Sequence, residues 1–131
     1  MAARSVAGIA IEGGKVFIAR RLKSGDMGGK WEFPGGKVEG NETDEEALVR
    51  EYEEEFGAAV RVGRHLGQTS FEHGGITRLL NAYRIYFTDK IAVMREHTES
   101  RWVSFAELET LDFADSDFKL FPFLKTITDV P

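Results

Sequence analysis

The segment from Thr43 to Gly57 constrains the fold most, because both ends of a helix are written into it. Thr43 is followed three residues later by Glu46, the reciprocal pair of a capping box. Gly57 stands where a left-handed residue closes a helix. The spacing predicts a helix over Asp44 to Phe56. At ~100° per residue, Leu48, Val49, Tyr52 and Phe56 share one sector about 100° wide, the width of a stripe that faces a core. Glu51, Glu54 and Glu55 share an adjoining sector, while Glu46 and Glu53 point toward solvent.

Strand patterns surround this helix. Val6 to Ile11 reads as a buried strand, and Val16 to Arg20 returns after the turn Glu12-Gly13-Gly14-Lys15 to make a hairpin. Leu22 to Lys30, with Ser24, Gly25, Gly28 and Gly29, reads as a mobile loop. Trp31 to Phe33 is short and extended, since Pro34 disfavours helix just before it. Ala59 to Val62 and Gly67 to Phe71 are strand-like, Gly74-Gly75 turns, and Ile76 to Phe87 is a long strand. Asp89 to Glu99 reads mostly as loop and Arg101 to Val103 as a short strand. Ser104, with Glu107, caps a helix reaching Leu111. A last helix starts near Ser116 or Asp117 and carries Phe118, Phe121 and Leu124, with Pro122 an awkward interior residue. This order predicts an α+β fold with a mixed β-sheet packed between helices rather than a strict β-α-β repeat. No linker or repeat interrupts it, so residues 1–131 read as a single domain.

Composition narrows the classes of function. The net charge of −5 argues against stable nucleic-acid binding, which calls for a basic surplus. The absence of cysteine removes disulfides and cysteine-based zinc sites, and fits a reducing compartment. The run Val6 to Ile11 is too short to span a bilayer. No leader of charged and long apolar regions is read, so a cytoplasmic protein without membrane attachment is expected. Four of the ten phenylalanines fall between Phe113 and Phe123 and read as core.

The acidic sector carries two penalties. Like charges spaced three and four residues apart repel, and carboxylates in the last turns oppose the negative end of the helix dipole. A solvated face is the ordinary fate of a Glu-rich helix, but here Glu51, Glu54 and Glu55 are sorted beside the core edge. That arrangement calls for an outside cation, and oxygen-only ligands favour Mg²⁺, Mn²⁺ or Ca²⁺ over Zn²⁺. The preceding loop, Phe33-Pro34-Gly35-Gly36-Lys37, adds its own chemistry. Its paired glycines let the backbone turn and offer a carbonyl to a metal, and Lys37 can meet a phosphate.

Loop and helix together resemble the box of the Nudix hydrolase family. Gly36, Glu42, Arg50, Glu51, Glu54, Glu55 and Gly57 stand at every fixed position of that box. Tyr52, where an aliphatic residue is usual, and the small Ala58 depart from it only at packing positions. The resemblance extends over nearly the whole chain and is nearest the MutT-like branch. It implies a Nudix-type α/β/α sandwich and a Mg²⁺-dependent enzyme, with Mn²⁺ as a substitute. It implies that the Gly35 carbonyl, Glu51, Glu54, Glu55 and Glu96 bind metal, and that Glu54, Glu55 or Glu96 deprotonates the attacking water. By the same resemblance Glu51, Glu54, Glu55 and Glu96 form the catalytic set. Arg21 and Lys37 would contact phosphate, and Phe33 and Asp115 the base. Gly36, Glu42, Arg50 and Gly57 would be structural, with Glu42 and Arg50 a charge pair tying loop to helix. His73 and His97 read as ordinary polar residues.

The implied reaction is hydrolysis of a nucleoside triphosphate to monophosphate and pyrophosphate, serving nucleotide-pool sanitising. Asp at position 115, where the best-known enzymes of that branch carry an Asn, leaves 8-oxo-dGTP and CTP or dCTP as competing substrates, because an ionised carboxylate only accepts hydrogen bonds. Cleavage of ADP-ribose or a dinucleoside polyphosphate is the second reading. The stretch Glu72-His73-Gly74-Gly75-Ile76 lacks the Pro or Tyr that resemblance to those members would bring. A non-catalytic nucleotide-binding module is the third, against which stands the full set of box glutamates. The partner expected is a small nucleotide, and the chain is expected to be a monomer or homodimer.

Overall fold

The structure, a computed structural model, describes residues 3–22, 28–125 and 127. Its central strand is β1 (Ala3–Glu12). Successive side chains of a strand go to opposite faces. Ala7, Ile9 and Ile11 therefore join one apolar cluster, and Val6 and Ala10 the other. This two-sided burial explains a run without polar alternation. β6 (Ile76–Phe87) lies parallel beside β1, from Ala3↔Arg78 to Ala10↔Ile85, and β5 (Val60–His73) pairs antiparallel with β6.

The other edge of β1 is divided between two strands. β4 (Gly35–Lys37) takes the first half, at Ser5↔Lys37 to Ala7↔Gly35. β2 (Lys15–Arg21) takes only the end, at Ile11↔Val16 and Glu12↔Lys15. The expected hairpin thus exists at its turn alone. Beyond the turn β2 pairs with β7 (His97–Ser104) along one side and with β3 (Trp31–Glu32) on the other. Pro34 bridges the notch between β2 and β4, its carbonyl accepting the Gly8 N–H at 2.9 Å.

Helices cover both faces. α1 (Asp44–Phe56) lays Ala47, Leu48, Tyr52 and Phe56 on the face holding Val6, Ala10 and Phe17. The Phe17 and Phe56 rings meet edge-on with centroids 5.6 Å apart. Burying one such ring is worth roughly 1.5–3 kcal/mol. Counted at ~100° per residue, the buried face runs from Ala47 to Phe56 and is centred near Glu55. Val49, expected in the stripe, lies just past its edge and is 44% exposed. The opposite face takes Leu108 of α2 (Phe105–Leu108), Leu120, and Leu124 of α4 (Phe121–Leu124), packed with Ile9, Ile18 and Val103.

Other expectations shift in register. α2 stops short of Leu111. The last helix is two pieces, α3 (Asp115–Phe118) and α4, with Pro122 in the first turn of α4, where its missing N–H and fixed φ are tolerated. The two expected strands from Ala59 to Phe71 are one strand with irregularities between Val62 and Gly67. β7 begins at His97, inside the expected loop. Residues 23–27 of the loop expected to be mobile, Ser24 and Gly25 among them, lie outside the described residues. Among the described residues no helix is long and apolar enough to cross a membrane.

Candidate metal and nucleotide site

Two clefts meet at the end of the sheet where Arg21, Glu32 and His97 converge. The first, about 350 Å³, is lined by Glu51, Glu54 and Glu55 of α1, by Gly35 and Glu96, and by Arg21, Glu32 and His97. The second, about 750 Å³, holds Lys37 and Asp115 together with Arg78, Ser116, Asp117 and Phe118. Arg21 and Glu32 line both and so form the wall between them.

The helix ends that aim the acids are built as their residue types require. Thr43 accepts from Glu46 N at 3.1 Å and its own N–H donates to Glu46 Oε1 at 2.8 Å. Gly57 closes α1 at φ 59° in the left-handed region. Gly35 and Gly36 serve close approach rather than a turn, since neither has positive φ. A Cβ on Gly36 would stand 2.5 Å from the Glu51 carboxyl, and one on Gly35 would strike the Val6 carbonyl. β4 can thus lie between β1 and the acidic face of α1 only if both lack side chains.

Arg50 gathers the acids around this junction. It bonds both oxygens of Glu42, at 2.6 and 3.0 Å, and reaches Glu51 at 3.0 Å, Glu54 at 3.2 Å and the Lys37 carbonyl at 3.0 Å. The hydrogen bond from Arg50, aided by the Glu39 N–H, lowers the Glu42 pKa to about 2. Glu54 remains exposed, Glu51 half-buried and Glu55 buried. Burial, then the neighbouring Glu51, Glu32 and Glu96, raise the Glu55 pKa to about 10. Glu55 Oε2 has no hydrogen-bond partner among the described residues. An orphaned buried carboxylate oxygen costs about 1–3 kcal/mol, and facing a cleft lined with further carboxylates it fits a divalent cation.

Glu32 and His97 were not foreseen as part of this site. His97 Nε2 lies 2.6 Å from Glu32 Oε2 and 3.9 Å from Glu55 Oε1, and ligand-capable atoms of the three lie within 4.8 Å of one another. Arg21 Nη1 donates to the other Glu32 oxygen at 2.8 Å. Burial opposes the charge on Arg21, but Glu32 outweighs it and the Arg21 pKa is raised. His97 is more than the ordinary polar residue expected: its ring is buried and stacks on Phe56 at 5.3 Å. The signal was available only in part, because His97 follows Glu96 directly and Glu32 precedes Phe33, whereas their meeting depends on the pairing Arg21↔His97.

The residues expected to face the base lie at different depths. Phe33 was expected to pack against a base, but it is 2% exposed and its ring contacts Phe113 at 5.1 Å and Phe121 at 6.0 Å. Those two rings draw it into the core. Asp115 lies on the exposed rim, whereas Asp117 is buried and accepts from Phe33 N at 2.7 Å. Burial and the charge of Glu32 raise the Asp117 pKa to about 8, against the pull of the Phe33 N–H, Ser116 and Arg21.

The family model described as NUDIX domain matches residues 1–124. The chain is similar to the CTP pyrophosphohydrolase of Escherichia coli strain K12, 35% identical over 115 residues covering 88% of this chain and 85% of the relative. It is also similar to the 8-oxo-dGTP diphosphatase of Haemophilus influenzae, 32% identical over 111 residues, 83% of this chain and 80% of the relative. The solved MutT protein from Methanosarcina mazei Go1 superposes with a TM-score of 0.82 at 27% identity, over 96% of this chain and 95% of that one. The chain belongs to the Nudix family and is a hydrolase of MutT-like type.

Proposed function

We propose that this enzyme hydrolyses a nucleoside triphosphate to the monophosphate and pyrophosphate, using Mg²⁺ with Mn²⁺ as a substitute. The observation that carries the reading is the shared wall: a cleft of carboxylates and a larger half-apolar cleft meet at Arg21 and Glu32. A nucleotide laid across that wall places its phosphates among acids that need a cation and its base beside Asp117. Glu51, Glu54, Glu55, Glu96 and the Gly35 carbonyl would hold the metal. When bound, the cation offsets phosphate charge and acidifies the attacking water.

The chain's own groups do the remaining work. Glu54, the exposed member on α1, takes the proton from the water at its carboxylate. Arg50 holds Glu51 and Glu54 in place through its Nη1. Arg21 and Lys37 contact phosphate. Asp117 replaces Asp115 as the group that reads the base, with Phe33 contributing its backbone N–H environment rather than its ring. A carboxyl raised to about 8 carries its proton at neutral pH, so it can donate as well as accept. That chemistry accommodates both cytosine and oxidised guanine, the bases named in the relatives described above. The test is a Mg²⁺ panel of canonical, methylated and oxidised nucleoside triphosphates with ADP-ribose and diadenosine polyphosphates. The expected ranking by kcat/KM places a CTP-type or 8-oxo-dGTP substrate first, and ADP-ribose in first place overturns the reading.

A further inference from the structure

The wall between the two clefts is held by a chain of hydrogen bonds that no box residue provides. Arg21 ends β2, Glu32 ends β3 and His97 opens β7, so three strands deliver one side chain each to the same corner. Glu32 Oε1 takes the Arg21 Nη1 hydrogen at 2.8 Å, and Glu32 Oε2 faces His97 Nε2 at 2.6 Å. A carboxylate has no hydrogen to give, so Nε2 carries it. In a neutral ring Nδ1 is then a bare lone pair, which fits its burial without a partner among the described residues. A cation on Nε2 would instead leave a buried Nδ1–H with no acceptor, the reverse of the usual arrangement for a metal-bound histidine. Stacking on Phe56, interplanar angle 9°, fixes the ring plane.

We propose that His97 and Glu32 are positioning residues that aim the Arg21 guanidinium at the phosphate crossing the shared wall. Arg21 itself is exposed and projects from a strand end, so without Glu32 its long side chain samples many rotamers. Clamping one Nη leaves the rest of the planar fork turned toward the clefts it lines. This inference rests on the nucleotide reading above.

The test measures binding of CMP and 8-oxo-dGMP in EDTA by calorimetry, which needs neither metal nor turnover. The variants are His97→Phe, which keeps the ring stack and deletes the donor, and His97→Gln, whose amide N–H can replace Nε2–H. Arg21→Ala and the pair Arg21→Ala with His97→Phe complete the set. His97→Phe is expected to weaken the tighter ligand about tenfold, the loss of a charge-assisted hydrogen bond's orientation. His97→Gln recovers most of it, and His97→Phe adds nothing in the Arg21→Ala background. Equal losses in both backgrounds overturn the proposal, as does unchanged binding in His97→Phe. A ring ¹⁵N spectrum placing the hydrogen on Nδ1 overturns it even where His97→Phe fails to fold. Wild-type protein that binds neither nucleotide contradicts the nucleotide reading instead, which separates the two failures.

Discussion

Gly8 and Tyr52 form a fitted pair that a double-mutant cycle measures. Tyr52 is fully buried where the family box has an aliphatic residue, and its hydroxyl lies 3.0 Å from the Pro34 carbonyl and 3.3 Å from that of Gly8. A Cβ at Gly8 would sit 2.7 Å from the hydroxyl oxygen, 3.0 Å from the ring and 3.0 Å from Ile85. Gly8→Ala therefore overpacks, at about 1–3 kcal/mol, partly offset by the ~0.5–1 kcal/mol that alanine recovers from glycine's chain entropy. Tyr52→Phe removes one hydrogen bond, and Pro34 O keeps the Gly8 N–H at 2.9 Å. Its cost is about 0.5–1.5 kcal/mol. In the double variant the hydroxyl that caused the worst contact is gone. Urea unfolding should show the pair less destabilised than the sum of the singles by about 1 kcal/mol, beyond the ~0.3–0.5 kcal/mol scatter of independent sites. Additive losses, or a stabilised Gly8→Ala, would refute the packing argument.

Other expectations follow from the same geometry. Glu42, whose pKa falls from 4.5 to about 2 on folding, adds stability above the unfolded value that is lost as pH drops from about 4.5 through about 2. Glu42→Gln should flatten that part of an acid-unfolding series, and an unchanged slope contradicts the Arg50 pairing. Glu54→Gln should keep the wild-type melting temperature and lower kcat by roughly 10²–10⁴, the range for losing a general base; near-normal turnover would sink its role. Mg²⁺ added after EDTA should raise the melting temperature of wild type through ligand linkage, and Glu55→Gln should lose that rise. Asp117→Asn should reorder base preference in kcat/KM, whereas Asp115→Asn should leave the order unchanged; the opposite result returns the base contact to Asp115.

Local chemistry was legible and long-range pairing was not. The α1 boundaries, both capping boxes and the Gly57 stop were readable because each depends on residues within one turn of the helix end. The acids of α1 are readable from angular sorting, but the buried face is rotated from the apolar stripe: Val49 is bulkier than Ala47, yet the sheet receives Ala47 and leaves Val49 outside. The sequence of β4 suggests a turn because Gly35-Gly36 permits one. Only the proximity of Val6 and Glu51 reveals that the glycines clear a path. Glu32 and His97 stand far apart in sequence and meet through the β2–β3 and β2–β7 registers, which no local pattern encodes. Asp115 and Asp117 are two residues apart with similar neighbours, and only the depth of the ring cluster beneath Phe33 separates rim from interior.

The central claim is that the acidic cleft and the larger cleft act on one nucleoside triphosphate. Phosphorus NMR of CTP and of 8-oxo-dGTP incubated with enzyme and Mg²⁺ tests it most directly. The account predicts nucleoside monophosphate and pyrophosphate appearing together, with neither in EDTA. Release of orthophosphate with a nucleoside diphosphate, or no cleavage of either triphosphate, contradicts it.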